Sequence, residues 1–174
     1  GPVEVNFMSV SKYGLVVLTA ALVFLLPMQV CAEMMEEDNA TSEGVEFEGL
    51  LSKVAVINNS MGISAEDVLG WDYIYRDDGT CYKYYAAQPP LIGMTQPVQI
   101  ACPLGIQVFD SYQVDFKEAI DIIHSMDCGD SFVAMSLSWP LTPDSTEPLW
   151  HVKMSIGNDI VIGANSGEAN CHSI

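Results

Sequence analysis

The chain has 174 residues, with 23 Asp and Glu against 6 Lys and Arg, for a net charge of -17. A single arginine, Arg76, and scattered lysines exclude a nucleic-acid-binding surface, which needs clustered cations facing phosphate. Ordinary glycine content, 49% apolar residues and no sustained heptad exclude collagen, coiled coil and a wholly disordered chain, leaving one acidic globular domain with an attachment.

The attachment comes first. Gly1-Pro2 has the look of a cloning scar or a fragment start, and Met8 is the first methionine. Tyr13 to Ala32 are twenty residues without a charge, preceded by Lys12 and ending Val30-Cys31-Ala32 before Glu33. A positive n-region, an apolar h-region and small residues at the end describe a secretory signal peptide cut after Ala32. A run of this length also suffices for a retained membrane anchor, but Pro27 and the acidic residues that follow favour cleavage. Cys31 would carry the lipid of a lipoprotein, although Val30 fits poorly the small residue such sites prefer. Residues 33–48, EMMEEDNATSEGVEFE, are rich enough in Asp and Glu for self-repulsion to predict a solvated acidic linker. The expected location is secreted or extracytoplasmic, at a cell surface or in a periplasm, or membrane-anchored if the leader is kept. Asn39-Ala40-Thr41 and Asn58-Asn59-Ser60 are glycan acceptors where the host glycosylates exported chains.

Residues 49–174 are expected to form a single α+β domain with helices packed on antiparallel sheet. Phe47, Leu50, Leu51, Val54 and Ile57 recur at helical spacing and predict an amphipathic helix ended by Asn58-Asn59-Ser60 and Gly62. Ser64, followed by Glu66 and Asp67, predicts a second helix start. Residues 71–76 and 80–85 flank Asp77-Asp78-Gly79 and predict a hairpin, since Asp-Gly supplies the positive φ of a tight turn. Gln88-Pro89-Pro90 ends it, and residues 97–102 and 105–109 read as two short strands broken by Pro103.

In the second half, Asp115 and Glu118 form a capping box. Phe116, Ala119, Ile120, Ile123 and Met126 then line one helical face, with Gly129 as C-cap. Val133, Met135, Leu137 and Trp139 alternate with Ser136 and Ser138, as a half-buried strand does. Trp150, Val152, Met154 and Ile156 repeat the pattern with His151 and Lys153 outward, and residues 160–164 give a third strand. The expected unit is a helix on a three-stranded meander. The first half, helix then hairpin, echoes it.

Lys117-Glu118-Ala119-Ile120, Gly129, Trp150-His151-Val152 and Ala164-Asn165-Ser166-Gly167-Glu168 resemble, over residues 114–169, the motifs of PepSY-like domains, small helix-plus-sheet modules of exported microbial proteins. Gly163 stands where that family usually carries Asp, and Ser166 where it often carries Thr. The resemblance implies a binding or regulatory module, of a kind that restrains secreted peptidases, and not a catalyst.

Cys81, Cys102, Cys128 and Cys171 are even in number, with no C-x-x-C among them, so disulfides are expected in place of a metal or redox site. Three pairings exist. Cys81–Cys102 with Cys128–Cys171 is favoured because each pair then falls within one half.

Residues 71–85 hold six aromatics: Trp71, Tyr73 and Tyr75 share one face of a strand, with Tyr82, Tyr84 and Tyr85 opposite. Cross-strand pairing in a core accounts for them. So many in one hairpin also make Trp71, Tyr73, Tyr75, Tyr82 and Tyr84 the candidate ligand-binding residues, suited to a peptide or glycan. No G-x-S-x-G, H-E-x-x-H, Walker loop or G-x-G-x-x-G is present, so no enzyme and no cofactor are expected. Cys171 beside His172 does not make a catalytic pair, Asp77 and Asp78 read as a solvated turn, and His124, His151 and His172 lack ligand spacing, so no metal site is expected. The function expected is an exported, non-catalytic binding or regulatory module. Its partner is a neutral or basic polypeptide, since -17 repels anions, and it meets a membrane only through an uncleaved leader. A structural component of the cell surface, a cation-binding extracellular protein and an unrecognised hydrolase are the alternatives.

Overall fold

The computed structural model describes residues 49–173; the segments expected to be a leader and an acidic linker lie outside them. The sheet dominates. Among the described residues, strands β1 (Gly49–Ile57), β2 (Val68–Asp77), β3 (Thr80–Ala87), β4 (Val98–Ile100), β5 (Ile106–Gln107), β6 (Phe132–Pro140), β7 (Leu149–Met154), β8 (Asp159–Gly163) and β9 (Ala169–His172) accompany one α-helix, α1 (Phe116–Ser125). They form one antiparallel sheet in the order β4-β3-β2-β1-β6-β7-β8-β9, with β5 paired to the end of β6. The expected architecture of helices packed on a sheet is therefore corrected, among the described residues, to a nine-stranded sheet bearing a single α-helix.

The correction rests on β1. The residues that suggest a helix form a central strand between β2 and β6. Two features imitate a helical period. A bulge between Leu50 and Ser52 shifts the alternation by one residue, and Lys53 occupies a position that faces the core. The second expected helix is one 3₁₀ turn, Ala65–Asp67. Asp67 does accept from the Ile63 and Ser64 amides, at 2.8 and 3.0 Å, but β2 begins at the next residue.

The hairpin follows expectation. Asp77 pairs with Thr80 across Asp78 and Gly79, whose φ values of 44° and 77° make the two-residue turn. The helix starts where expected, and the Asp115 carboxylate accepts from the Glu118 amide at 2.8 Å, one half of the expected capping box. It ends at Ser125, three residues before Gly129 would have capped it. In β6 a bulge between Phe132 and Ala134 turns Phe132 inward and leaves Val133 exposed, the reverse of strict alternation. Ile156, expected inward, is exposed beyond the end of β7. The meander gains a fourth strand, β9, which pairs with β8.

One face of the sheet is apolar and carries α1. Phe116, Ala119, Ile120 and Ile123 pack with Trp71, Met135, Leu137, Trp150, Val152, Ile160 and Ile162, so both halves share one core. The Trp150 indole N–H donates to the Val114 carbonyl at 2.8 Å, and the Gln113 and Val114 amides donate to the Ala164 carbonyl, tying the segment before α1 to the end of β8. On the other face, His151 and Lys153 of β7 are exposed. Cys81 bonds to Cys102 and Cys128 to Cys171, the pairing expected. Two disulfides are the mark of an oxidising, extracytoplasmic environment. Among the described residues no helix is long and apolar enough to cross a membrane.

Candidate functional site

Strand pairing sorts the aromatic residues. Tyr73 stands opposite Tyr84 and Tyr75 opposite Tyr82, so these four share the face that carries α1. Tyr73 and Tyr84 stack with ring centroids 5.2 Å apart, and Tyr75 and Tyr84 stack at 5.7 Å. Tyr84 is buried, whereas Tyr73, Tyr75 and Tyr82 are partly buried. Burial, with neighbouring phenols adding to it, raises the Tyr73 and Tyr75 hydroxyls well above the usual tyrosine range. They therefore stay protonated and neutral.

Trp71, an expected site residue, and Tyr85, the sixth aromatic of the hairpin, fall elsewhere. Trp71 is fully buried, edge-on to Phe116 of α1 at 5.4 Å, with its N–H donating to the Gln88 side chain at 3.0 Å. It belongs to the core. Tyr85 points to the opposite face of the sheet, against Gly70, and its hydroxyl donates to the Leu69 carbonyl. A Cβ at position 70 would collide with that ring, so glycine is required there.

Sequence reasoning missed Lys53. It pairs across the strands with Tyr73 on one side and with Leu137 on the other, at the seam between the two halves. Only 5% of it is exposed. Its ammonium lies 4.5 Å from the ring centroid of Trp71, 4.9 Å from Tyr112 and 5.0 Å from Trp150, and donates to the Tyr112 hydroxyl. Burial pulls its pKa down to about 8, while the Asp115 carboxylate works the other way. Three aromatic faces replace much of the lost hydration, each desolvated contact contributing about 2 kcal/mol. The available signal was a lone lysine in the otherwise largely apolar run Leu50 to Ile57.

The site is thus a tyrosine surface running into a caged ammonium. It offers ring faces, neutral hydroxyl donors and one buried cation. Among the described residues no three His, Cys, Asp or Glu side chains gather as a metal would require. Glu147, in the loop before β7, accepts from the Asn165 and Ser166 amides at 2.6 and 2.9 Å and from the Ser166 hydroxyl at 2.7 Å, so it holds the β8–β9 turn. Comparison with family models, curated proteins and solved structures finds no match.

Proposed function

We propose that the protein is an exported, non-catalytic binding module whose tyrosine surface on β2 and β3 receives a neutral or basic polypeptide. The observation that carries this reading is the stack of partly buried Tyr73 and Tyr75 on buried Tyr84, with partly buried Tyr82 on the same face, in a chain of net charge -17. Such a surface holds rigid apolar area at small entropic cost, accepts a Lys or Arg side chain over its rings, and draws cations by its surrounding charge. Export by a signal peptide, with release after Ala32, belongs to the same proposal and rests on the uncharged run from Tyr13. Regulation of a secreted peptidase in the PepSY-like manner also belongs to it, and rests on the motifs over residues 114–169.

The test is an array of short peptides varied from Lys- and Arg-rich to Asp- and Glu-rich, titrated with oxidised protein and followed by mass spectrometry of each peptide. Basic aromatic peptides should bind saturably, weaken as salt rises, and be recovered intact. Binding that ignores peptide charge, or cleavage of the peptide by purified protein, contradicts the proposal.

A further inference from the structure

Charge is distributed unevenly along the chain. From Tyr84 to Phe109 run twenty-six residues without an Asp, Glu, Lys or Arg, in a protein whose net charge is -17. This run includes the end of β3, all of β4 and β5 and the loops beside them, and among the described residues β4 is an edge of the sheet. Met94 bridges to Ala86, and the Thr95 amide donates to the Tyr85 carbonyl, so the edge begins before β4 and continues through Ile100.

The apolar side chains along this edge are unusually exposed. Ile92 is 100% exposed, Val98 62% and Met94 53%. Ile92 and Met94 lie in the segment leading into β4, where Met94 bridges to Ala86, and Val98 lies within β4, so they follow the edge. The closest charged pair on the adjoining strands, Lys83 opposite Val98 and Asp72, is internally neutralised at 3.3 Å. Soluble proteins guard edge strands with charges that oppose strand addition. Here there is none.

We propose that this edge is a self-association surface, at which β4 pairs antiparallel with β4 of a second copy of this chain about a two-fold axis. The occupant follows from charge. Two copies carrying -17 each repel over the rest of their surfaces, and the uncharged edge is where they approach without opposing carboxylates. A basic partner would be drawn to the acidic surfaces instead. Anionic lipid headgroups would find no Lys or Arg within the run. A two-fold axis also makes each exposed side chain on one copy meet the same segment on the other, as an isologous interface requires. Pro97 and Pro103 flank β4 and confine the added ladder to a short stretch, leaving the loop side chains to supply apolar contact.

Light scattering coupled to gel filtration, on the oxidised protein across a concentration series, tests this. A dimer should form as concentration rises, and should tighten with added salt because screening removes the repulsion between copies. Val98→Lys and Ile92→Glu should each raise the dissociation constant roughly tenfold or more while leaving the near-UV circular dichroism unchanged. Ile156→Glu, exposed at the other end of the chain, should leave the dimer intact. A monomer at every concentration in high salt overturns the proposal, as does a dimer indifferent to both edge substitutions. Binding of the monomer to phosphatidylcholine vesicles that Ile92→Glu abolishes would assign the edge to lipid and overturn it equally.

Discussion

The meander of β1 to β4 and the meander of β6 to β9 follow one plan and meet where β1 pairs with β6. Each has four antiparallel strands and one disulfide. They differ in what lies on the face they share. The second presents Trp150, Val152, Met154, Ile160 and Ile162, all buried beneath α1 or against its neighbours. The first presents tyrosines, several of them only partly covered. Aliphatic side chains serve burial alone, whereas tyrosine combines a ring with a hydroxyl that must find a polar partner. The difference in burial places stability mainly in the second meander, and the proposed function places recognition in the first.

Cutting into the second meander should therefore cost most. Trp150→Ala removes a fully buried indole, its bond to Val114 and one wall of the Lys53 cage. A loss of about 3–5 kcal/mol is expected in denaturant unfolding. Tyr75→Ala, in the first meander, should cost about 1–2 kcal/mol, because the ring it removes is only partly buried. Equal losses would erase the distinction.

Lys53 sharpens the comparison because it sits on the seam. The unfolded lysine titrates near 10.5 and the folded one near 8, so between these values the unfolded chain binds more protons. Stability should rise as pH increases from about 8, by on the order of 3 kcal/mol if the full interval is traversed. The raised Tyr73 and Tyr75 values act oppositely. Their stabilisation is complete below about pH 10 and declines above it, as unfolded tyrosines ionise first. The rise is therefore readable between about pH 8 and 9.5. Lys53→Met should abolish it and hold or increase stability at pH 7. Asp115→Asn keeps a helix-capping oxygen but removes the charge supporting the ammonium, and should move the Lys53 midpoint further down. A pH-independent midpoint in the parent protein would show that Lys53 is not caged as described.

The disulfides give the smallest contrast. Cys128–Cys171 spans a sequence separation of 43 and Cys81–Cys102 one of 21. Replacing each pair by Ala should lower stability by about 2–5 kcal/mol, with the longer closure costing about 0.6 kcal/mol more. Melting curves of the two double mutants check the order.

Much of the second meander was legible because its strands have one wet face, so Met135, Leu137, Trp150, Val152 and Met154 alternate with polar neighbours. Short β9 was not, since Ala169 to His172 is mostly exposed and carries no apolar period. β1 was misread for a physical reason that also marks the site. A bulge shifted its phase, and a lysine stood where the pattern of a strand asks for an apolar residue. Tyr73, Tyr75, Tyr82 and Tyr84 were legible as a group because a two-residue turn fixes their register. Lys53 and Tyr112 were not, since fifty-nine residues separate them and only the sheet brings them together.

The central claim is that the tyrosine surface recognises and the second meander stabilises. Titration of one basic peptide into Tyr75→Ala, beside the melting temperature of the same sample, tests it most directly. The account predicts affinity lowered roughly tenfold or more with the melting temperature down by only a few degrees. Unchanged affinity in a folded Tyr75→Ala protein would contradict it.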